Sequence, residues 1–368
     1  MPLTDIDGQR LGDSVADKLG NRNLVINGAM NVAQRSTSET GVTADGYYTV
    51  DRFQLAINNL GTYTVTQESD GPDGFSNSFK IDCTTADSSP AAADFLIFFQ
   101  TIEAQTLQSL SYGTSGAQAI TISYYVKSNK TGNASFVMQQ KDNSDKQVSF
   151  QYTINSANTW EKKTHTIPGD TSGVINDDNG AGLTLEWWLN SGSNFTGGSH
   201  RSTWTAEDNT DRNASNLGIG GSTNDYWQIT GVQLEVGNTA TPFEHRSFAD
   251  ELARCQRYYF KIGPLASQDY FGICEAESST SSVLIGEFPV TLRADPTALE
   301  QTGTAGDYVV RTGGSSRTCS SVPLIDVGTN KHVHATSFTV ASGQTAGHAG
   351  FVRAASVTDA FLAWSVEL

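Results

Sequence analysis

"AITISYYVKS", residues 119–128, alternates without a break. Ile120, Ile122, Tyr124 and Val126 fall on one side of an extended chain, and Thr121, Ser123, Tyr125 and Lys127 fall on the other. Successive side chains leave a strand in opposite directions, so a period of two marks a half-buried antiparallel strand. The same pattern recurs in "QVSFQYTI" (147–154), with Val148, Phe150, Tyr152 and Ile154 in phase. In "LTLEWWLN" (183–190), Leu183, Leu185, Trp187 and Leu189 share a face and leave Glu186 and Trp188 on the other. "YWQITGVQLEVG" (226–237) starts with Trp227 and Ile229 in phase, then continues with Val232, Leu234 and Val236. The phase slips by one residue at Gly231, which predicts a β-bulge there.

Between these strands lie turns rich in Gly, Asn, Asp and Ser: "SDGPDGFSNS" (69–78), "GDTSGVINDDNGAG" (169–182) and a long segment at 191–216. A polar loop of that last length in a compact domain is often a binding loop. Residues 23–246 are therefore expected to form one sandwich of two packed sheets. "TPFEHRSFADELARCQRYY" (241–259) breaks the pattern. Ser247 followed by Asp250 is a capping-box signature, and Phe248, Leu252, Cys255 and Tyr259 fall on one face at helical spacing. A linking α-helix is expected over 247–260, with its apolar stripe at a domain or oligomer interface. Alternation then resumes in "SSVLIGEFPVTLRADPT", "TSFTVAS" and "FLAWSVEL", which predicts a second, smaller β domain over 261–368. Residues 1–22 stand apart: Leu11, Val15 and Leu19 are four residues apart, as on a short helix that needs a partner to dock on. The fold class is all-β.

The chain has 368 residues, of which 17% are charged, and 39 acidic against 23 basic residues give a formal net charge of −16. So acidic a molecule repels phosphate backbones and anionic lipid, which argues against nucleic acid and membrane surfaces as partners. The N-terminus has no basic and apolar run of the secretory kind, and no apolar stretch reaches the length of a membrane span. The chain is expected to be made in the cytoplasm and, if it acts outside a cell, to leave by lysis or within a particle. Cys83, Cys255, Cys274 and Cys319 show neither a CxxC pair nor zinc spacing, and buried thiols are expected.

The stretches "NLVINGAMNVAQRST" (23–37), "YTVDRFQL" (48–55), "WQITGVQLEVGNTATPFEHRSFADELARCQRYY" (227–259) and "FPVTLRADPT" (288–297) resemble a group of bacteriophage tail-fibre and receptor-binding proteins. The group is common in tailed phages of marine bacteria and cyanobacteria. The resemblance runs from about residue 23 to 300, and more loosely to the "WSVEL" ending. It implies an anchoring N-terminal segment, a jelly roll similar to carbohydrate-binding modules, a helix and a C-terminal β domain. It also implies a homotrimer in the virion that docks on a tail or capsid protein and contacts host surface carbohydrate. A capsid decoration or head-fibre protein is the structural alternative. A polysaccharide depolymerase is the enzymatic one.

The residues themselves favour binding over catalysis, so the chain is expected not to be an enzyme. No GxSxG, HExxH or Walker loop is present. Hydrolysis of a glycosidic bond needs two carboxylates across a cleft. Glu186, Glu235, Asp208 and Asp225 are the candidates, and any acidic chain offers such a set by chance. "DDNG" (177–180) and "EDNTDRN" (207–213) carry oxygen ligands of the kind Ca²⁺ takes without matching an EF-hand loop, so solvated turns are expected, with a structural Ca²⁺ as the alternative. No other cofactor or metal is expected. His332 and His334 form an HxH pair, expected at the surface of an edge strand, and His165 is expected to be a satisfied sheet histidine. A sugar offers apolar C–H faces and a polar rim, so its site pairs an exposed aromatic ring with amides and carboxylates. Trp188, on the polar side of its strand, and Trp204, in the long loop near Asn194, Asp208 and Asn209, are the expected glycan-binding residues. The alternative is that loops or another subunit cover both rings.

Overall fold

The computed structural model of the protein describes residues 22–142, 145–355 and 357–368. The expected anchor residues Leu11, Val15 and Leu19 lie outside the described residues. The chain divides into two units, one running through Phe248 and including Leu368, the other Ala249–Glu367.

The first unit contains β1 (Ser38–Val42), β2 (Gln54–Asn58), β3 (Thr62–Glu68), β4 (Ser78–Thr85), β5 (Phe95–Glu103), β6 (Ile120–Ser128), β7 (Gly132–Gln140), β8 (Lys146–Ile154), β9 (Glu161–Ile167), β10 (Ala181–Ser191), β11 (Thr205–Ala206) and β12 (Tyr226–Val236). They form two six-stranded sheets, in the orders β1-β3-β4-β12-β6-β9 and β11-β8-β7-β10-β5-β2. The chain changes sheet at every step except β3 to β4, β7 to β8 and β10 to β11. That repeated crossing makes the sandwich jelly-roll-like.

Alternation decides which side chains meet. Ile120, Ile122, Tyr124 and Val126 are fully buried, as are Leu183, Leu185, Trp187 and Leu189 from the facing sheet. Phe98 lies at the middle of this core, with ring centroids 4.9 Å from Phe53, 4.3 Å from Phe79, 5.9 Å from Trp187 and 5.6 Å from Trp227. The bulge at Gly231 is present: the β12–β6 register shifts between Thr230 and Gln233. Its φ is +63°, and a Cβ there would sit 2.8 Å from the Phe75 ring and 2.9 Å from that of Tyr125. The slip lets Trp227 and Ile229 before it and Val232 and Leu234 after it all face the core.

The charged and aromatic stretch after β12 closes this unit. Glu244 accepts the backbone N–H groups of Arg22 (3.1 Å) and Asn23 (2.8 Å), and Arg246 donates to the carbonyls of Val25 (3.0 Å) and Asn23. Phe243 meets Phe75 edge-on at 5.0 Å. "TPFEHR" is thus a clasp that ties the first described residues to the end of the last strand.

α1 (Phe248–Gln256) starts at the last residue of the first unit and carries the chain into the second, which continues through β13 (Tyr259–Leu265), β14 (Tyr270–Ala276), β15 (Ser281–Glu287), β16 (Glu300–Gln301), β17 (Tyr308–Thr312), β18 (Ser315–Thr318), β19 (Leu324–Ile325), β20 (Val333–Thr339), β21 (Ala349–Ala354) and β22 (Ala360–Ser365). A three-stranded sheet, β13-β22-β16, accompanies a seven-stranded one, β18-β17-β21-β14-β15-β20-β19. Phe271, Leu284, Tyr308, Phe338, Leu362 and Trp364 are among the residues of its core.

Two expectations need correction here. The helix is shorter than 247–260. The Tyr258 N–H turns back to the Cys255 carbonyl (2.9 Å), and Tyr259 opens β13 opposite Ser365. Three successive aromatic residues, Tyr258 to Phe260, favour a strand over another helical turn. The stripe is therefore not one helical face: Cys255 and Tyr259 are buried, Leu252 is half-buried and Phe248 is 59% exposed. Nor are His332 and His334 a surface pair. His332 precedes β20 and meets the Thr291 hydroxyl at 3.3 Å, while His334 is buried with its ring 4.5 Å from Trp364. Burial pushes His334 down to about 4. All four cysteines are free and buried. Among the described residues no helix is long and apolar enough to cross a membrane.

Candidate functional site

The inward residues of β5, β7 and β10 fill the core, so their neighbours must line the outer surface of the second sheet. Pairing sets them in rows. One row reads Gln54, Phe99, Glu186, Val137 and Ser149 across β2, β5, β10, β7 and β8. The next reads Thr101, Thr184, Gln139 and Gln147, and the one on the other side reads Ala56, Ile97, Trp188, Ser135 and Gln151.

The long polar loop folds back over most of these rows. Its backbone and side chains replace water as hydrogen-bond partners. Arg201 and Ser149 exchange bonds at 2.8 and 3.0 Å, Ser215 and Ser135 at 3.1 and 3.0 Å, and the Gln147 amide donates to the Asp208 carbonyl at 3.0 Å. Asp211, itself buried, accepts from the Ser199 N–H at 2.7 Å and from Arg201 Nε at 2.7 Å. Gly198 has to be glycine, since a Cβ there would lie 2.1 Å from the Asp211 carboxylate.

Arg212 is the loop's main anchor. Its guanidinium grips Glu186 Oε1 and Oε2 at 3.0 and 2.9 Å, and its Cζ sits 4.7 Å above the Trp188 ring. It also reaches Glu207 (3.4 Å) and Asn209 (3.3 Å). Glu186 in turn accepts the Trp188 indole N–H at 2.8 Å. The buried Glu186 carboxylate is thus bonded by Arg212 Nη2 and by the indole, while Arg212 Nη1 is spent on Glu207 and Asn209. Beside it the Gln139 amide is 1% exposed, and neither its nitrogen nor its oxygen has a hydrogen-bond partner among the described residues.

The expected exposure of Trp188 is therefore corrected. The ring is fully buried between Arg212 and Phe195, whose centroid is 5.0 Å away. Trp204 is half-buried. Its indole N–H donates to the Pro168 carbonyl at 2.7 Å, and its ring meets Tyr112 edge-on at 5.8 Å. It directly precedes β11, at the opposite edge of the sheet from β2, so the two tryptophans do not meet. Asn209 comes to the Arg212–Glu186 pair. The exposed Asp208 spends its carboxylate on the Thr210 hydroxyl (2.8 Å) and N–H (2.9 Å), which hold it below the usual carboxylate range. Asn194 is exposed beside Phe195, at the far end of the same surface.

What the loop leaves open is the β2–β5 edge. Phe95, Phe99, Gln54, Ala56 and Asn58 are all half-buried there. Pairing puts Gln54 against Phe99 and Asn58 against Phe95, with Ala56 against Ile97 between them. Two aromatic rings, each beside an amide, thus stand roughly 14 Å apart along a strand that rises about 3.4 Å per residue. Asn194 borders one end, and the Arg212, Glu207 and Asn209 group borders the other. Reasoning from the sequence missed Gln54, Asn58, Phe95 and Phe99. The signal was in "QLAIN", which alternates Leu55 and Ile57 inward with Gln54, Ala56 and Asn58 outward, and in "FLIFFQ", whose outward residues are as apolar as the inward ones.

Of the four candidate carboxylates, Glu186, Glu235 and Asp225 lie on different parts of the unit, and Asp208 is tied to Thr210. Glu186 is on the outer surface of the second sheet, while Glu235 is on the outer surface of the first, bonded to Thr241 at 2.8 and 2.6 Å and paired with Arg22 at 3.4 Å. Asp225 accepts the N–H groups of Gly220 and Ser222 and pairs with Lys130 at 3.1 Å. Among the described residues no group of three or more His, Cys, Asp or Glu side chains is arranged to hold a metal ion. In "DDNG", Asp178 instead accepts the Gly180 N–H at 2.8 Å, as a turn residue does.

No family model matches the chain, and no curated protein matches it. Several solved structures are similar in part. The enzymatically active domain of tailspike protein 4 of bacteriophage CBA120 is 14% identical over 59% of this chain and 22% of that one, with a TM-score of 0.32. This chain therefore spans about a fifth of that tailspike chain. A structure described as "CBM4 structure and function" is 14% identical over 57% of this chain and 98% of that one, with a TM-score of 0.30. A putative sugar binding protein from Bacteroides thetaiotaomicron VPI-5482 is 16% identical over 58% of this chain and all of that one, with a TM-score of 0.32. These superpositions are loose, and the function proposed below rests on the residues of the strip.

Proposed function

We propose that the chain is a non-catalytic bacteriophage virion protein, a tail fibre or receptor-binding protein, which attaches to a host surface glycan through the β2–β5 strip. The observation that carries the reading is the pairing of half-open Phe95 and Phe99 with Asn58 and Gln54. A pyranose presents a C–H face that packs on an aromatic ring, and hydroxyls around its rim that an amide meets as both donor and acceptor. Two such ring-and-amide pairs along one strand suit two sugars of a linear chain. The Arg212–Glu186 pair holds the loop that walls the strip. The resemblance of "NLVINGAMNVAQRST" and "WQITGVQLEVG" to phage fibre proteins supports the virion setting. In this reading the protein works as a homotrimer, docks on a tail or capsid protein through residues 1–22, and needs no cofactor.

The experiment is a binding screen of the purified chain against bacterial surface polysaccharides, followed by adsorption to cells that make the glycan it selects. Saturable binding to a polysaccharide, with chain length unchanged after incubation, supports the reading. Depolymerisation of the bound polysaccharide would overturn the non-catalytic part. Absence of binding across surface polysaccharides of the host that the phage infects would overturn the whole.

A further inference from the structure

The stretch "FPVTLRADPT" (288–297) belongs to the second unit and takes no part in the glycan strip. It starts where β15 ends. The Phe288 N–H donates to the His332 carbonyl at 3.0 Å, and the Leu292 N–H to the Lys331 carbonyl at 2.9 Å. Three residues separate these bonds on one side and none on the other, so Pro289, Val290 and Thr291 bow out from the neighbouring chain. The bow is fastened. Arg257 Nη1 donates to the Thr291 carbonyl at 3.4 Å, and the Arg293 N–H to the Arg257 carbonyl at 2.8 Å. Phe288 is buried, with its ring 5.5 Å from Trp364 and 5.7 Å from Phe260. Beside the bow lies a cavity of about 340 Å³. That volume is in the range of sites that take small molecules.

Its lining has two kinds of surface. Phe288, Pro289 and Val290 supply apolar wall. Glu287, Thr291 and His332 are polar and exposed. Register puts Glu287 against Val333, next to His332, and His332 Nδ1 meets the Thr291 hydroxyl at 3.3 Å. Among the described residues the Glu287 carboxylate has no hydrogen-bond or ion-pair partner. A carboxylate that can only accept thus stands with a hydroxyl and an imidazole that both donate and accept. A ring bearing adjacent hydroxyls matches all three groups and can lay its C–H face on the apolar wall. An acidic ligand would set its charge beside Glu287 in a chain that already carries a net −16. We propose that this cavity is a second binding site, which takes one uncharged sugar residue. The fastened turn presents the three polar groups ready-placed, so little ordering opposes binding. The site lies in a different unit from the β2–β5 strip, and it stands whether or not the strip binds a polysaccharide.

The test is a ligand-observed NMR titration of the full chain with glucose, galactose, mannose and N-acetylglucosamine, and with glucuronate and galacturonate as acidic counterparts. At least one neutral sugar is expected to bind, in the millimolar range that so small a ligand supports, and the uronates more weakly. Glu287→Ala should weaken binding of that sugar about tenfold, and Thr291→Val and His332→Ala each to a smaller extent. The three side chains are exposed, so circular dichroism and thermal unfolding are expected to stay as in wild type. Phe99→Ala, in the other unit, should leave this binding unchanged. Failure of every neutral sugar to bind overturns the proposal. So does an affinity that the folded Glu287→Ala and Thr291→Val proteins keep, one that Phe99→Ala abolishes, or a uronate that binds as tightly as the best neutral sugar. Polysaccharide binding is measured on the same variants. Loss of the single sugar in Glu287→Ala with polysaccharide binding retained tells the two sites apart.

Discussion

Trp188 shows what one residue can and cannot disclose. Alternation placed it on the outer face of β10, and the structure agrees, yet the ring is sealed by Phe195 from one loop turn and Arg212 from another. Strand period is local. Whether a loop returns over a face depends on partners tens of residues away, and no window of sequence carries that. The Glu186–Arg212 pair gives a prediction at this scale. Arg212→Ala leaves a buried carboxylate and an indole cover unsupported, and should cost about 3 kcal/mol in denaturant unfolding. The double change Glu186→Gln, Arg212→Met should recover part of that, because it removes the stranded charge. A second prediction follows from His334. Its folded value near 4 lies below the ordinary histidine value of about 6.5, so the unfolded chain binds the extra proton between them. The ring's contribution to stability is thus full above about pH 6.5, falls as pH drops from there to about 4, and levels off below, a loss on the order of 2–3 kcal/mol. Unfolding midpoints of His334→Phe should depend less on pH over that window than those of wild type. Equal slopes would contradict the assignment.

At the scale of elements, strands were legible wherever the two faces differ. β6, β8, β10 and β12 were read with their inward residues, and Gly231 with its bulge, except that Val236 at the end of β12 is exposed rather than in the core. β5 was not: "FLIFFQ" is apolar on both faces, so period two has no contrast to show, while β2, "QLAIN", alternates over only five residues and went unread, so the binding strip was missed. The helix was overread at its C-terminal end because Tyr259 sits at helical spacing from Cys255 by coincidence. The pairing of Tyr259 with Ser365, more than a hundred residues on, overrides that spacing. Gly231 supplies the test. Gly231→Val forces a side chain into a +63° φ and against the Phe75 and Tyr125 rings. It should cost about 2–4 kcal/mol in chemical denaturation. A neutral result would mean that the bulge does not set the register of β12.

For the molecule as a whole, the all-β class and the two-sheet sandwich follow from alternation and turn chemistry, and the jelly-roll arrangement came with the family resemblance. The clasp formed by "TPFEHR" and the cavity of the second unit follow from neither, since both depend on hydrogen bonds between distant parts of the chain. The central claim is that the uncovered β2–β5 edge binds a glycan. Titration calorimetry of the purified chain with the polysaccharide selected by screening tests it most directly, comparing wild type with Phe99→Ala, Gln54→Ala and Trp204→Ala. Phe99→Ala should weaken binding about tenfold, near 1.4 kcal/mol, and Gln54→Ala somewhat less, while Trp204→Ala, at the far edge of the sheet, should bind as wild type. Unchanged affinity in a folded Phe99→Ala protein, or a loss confined to Trp204→Ala, would contradict the account.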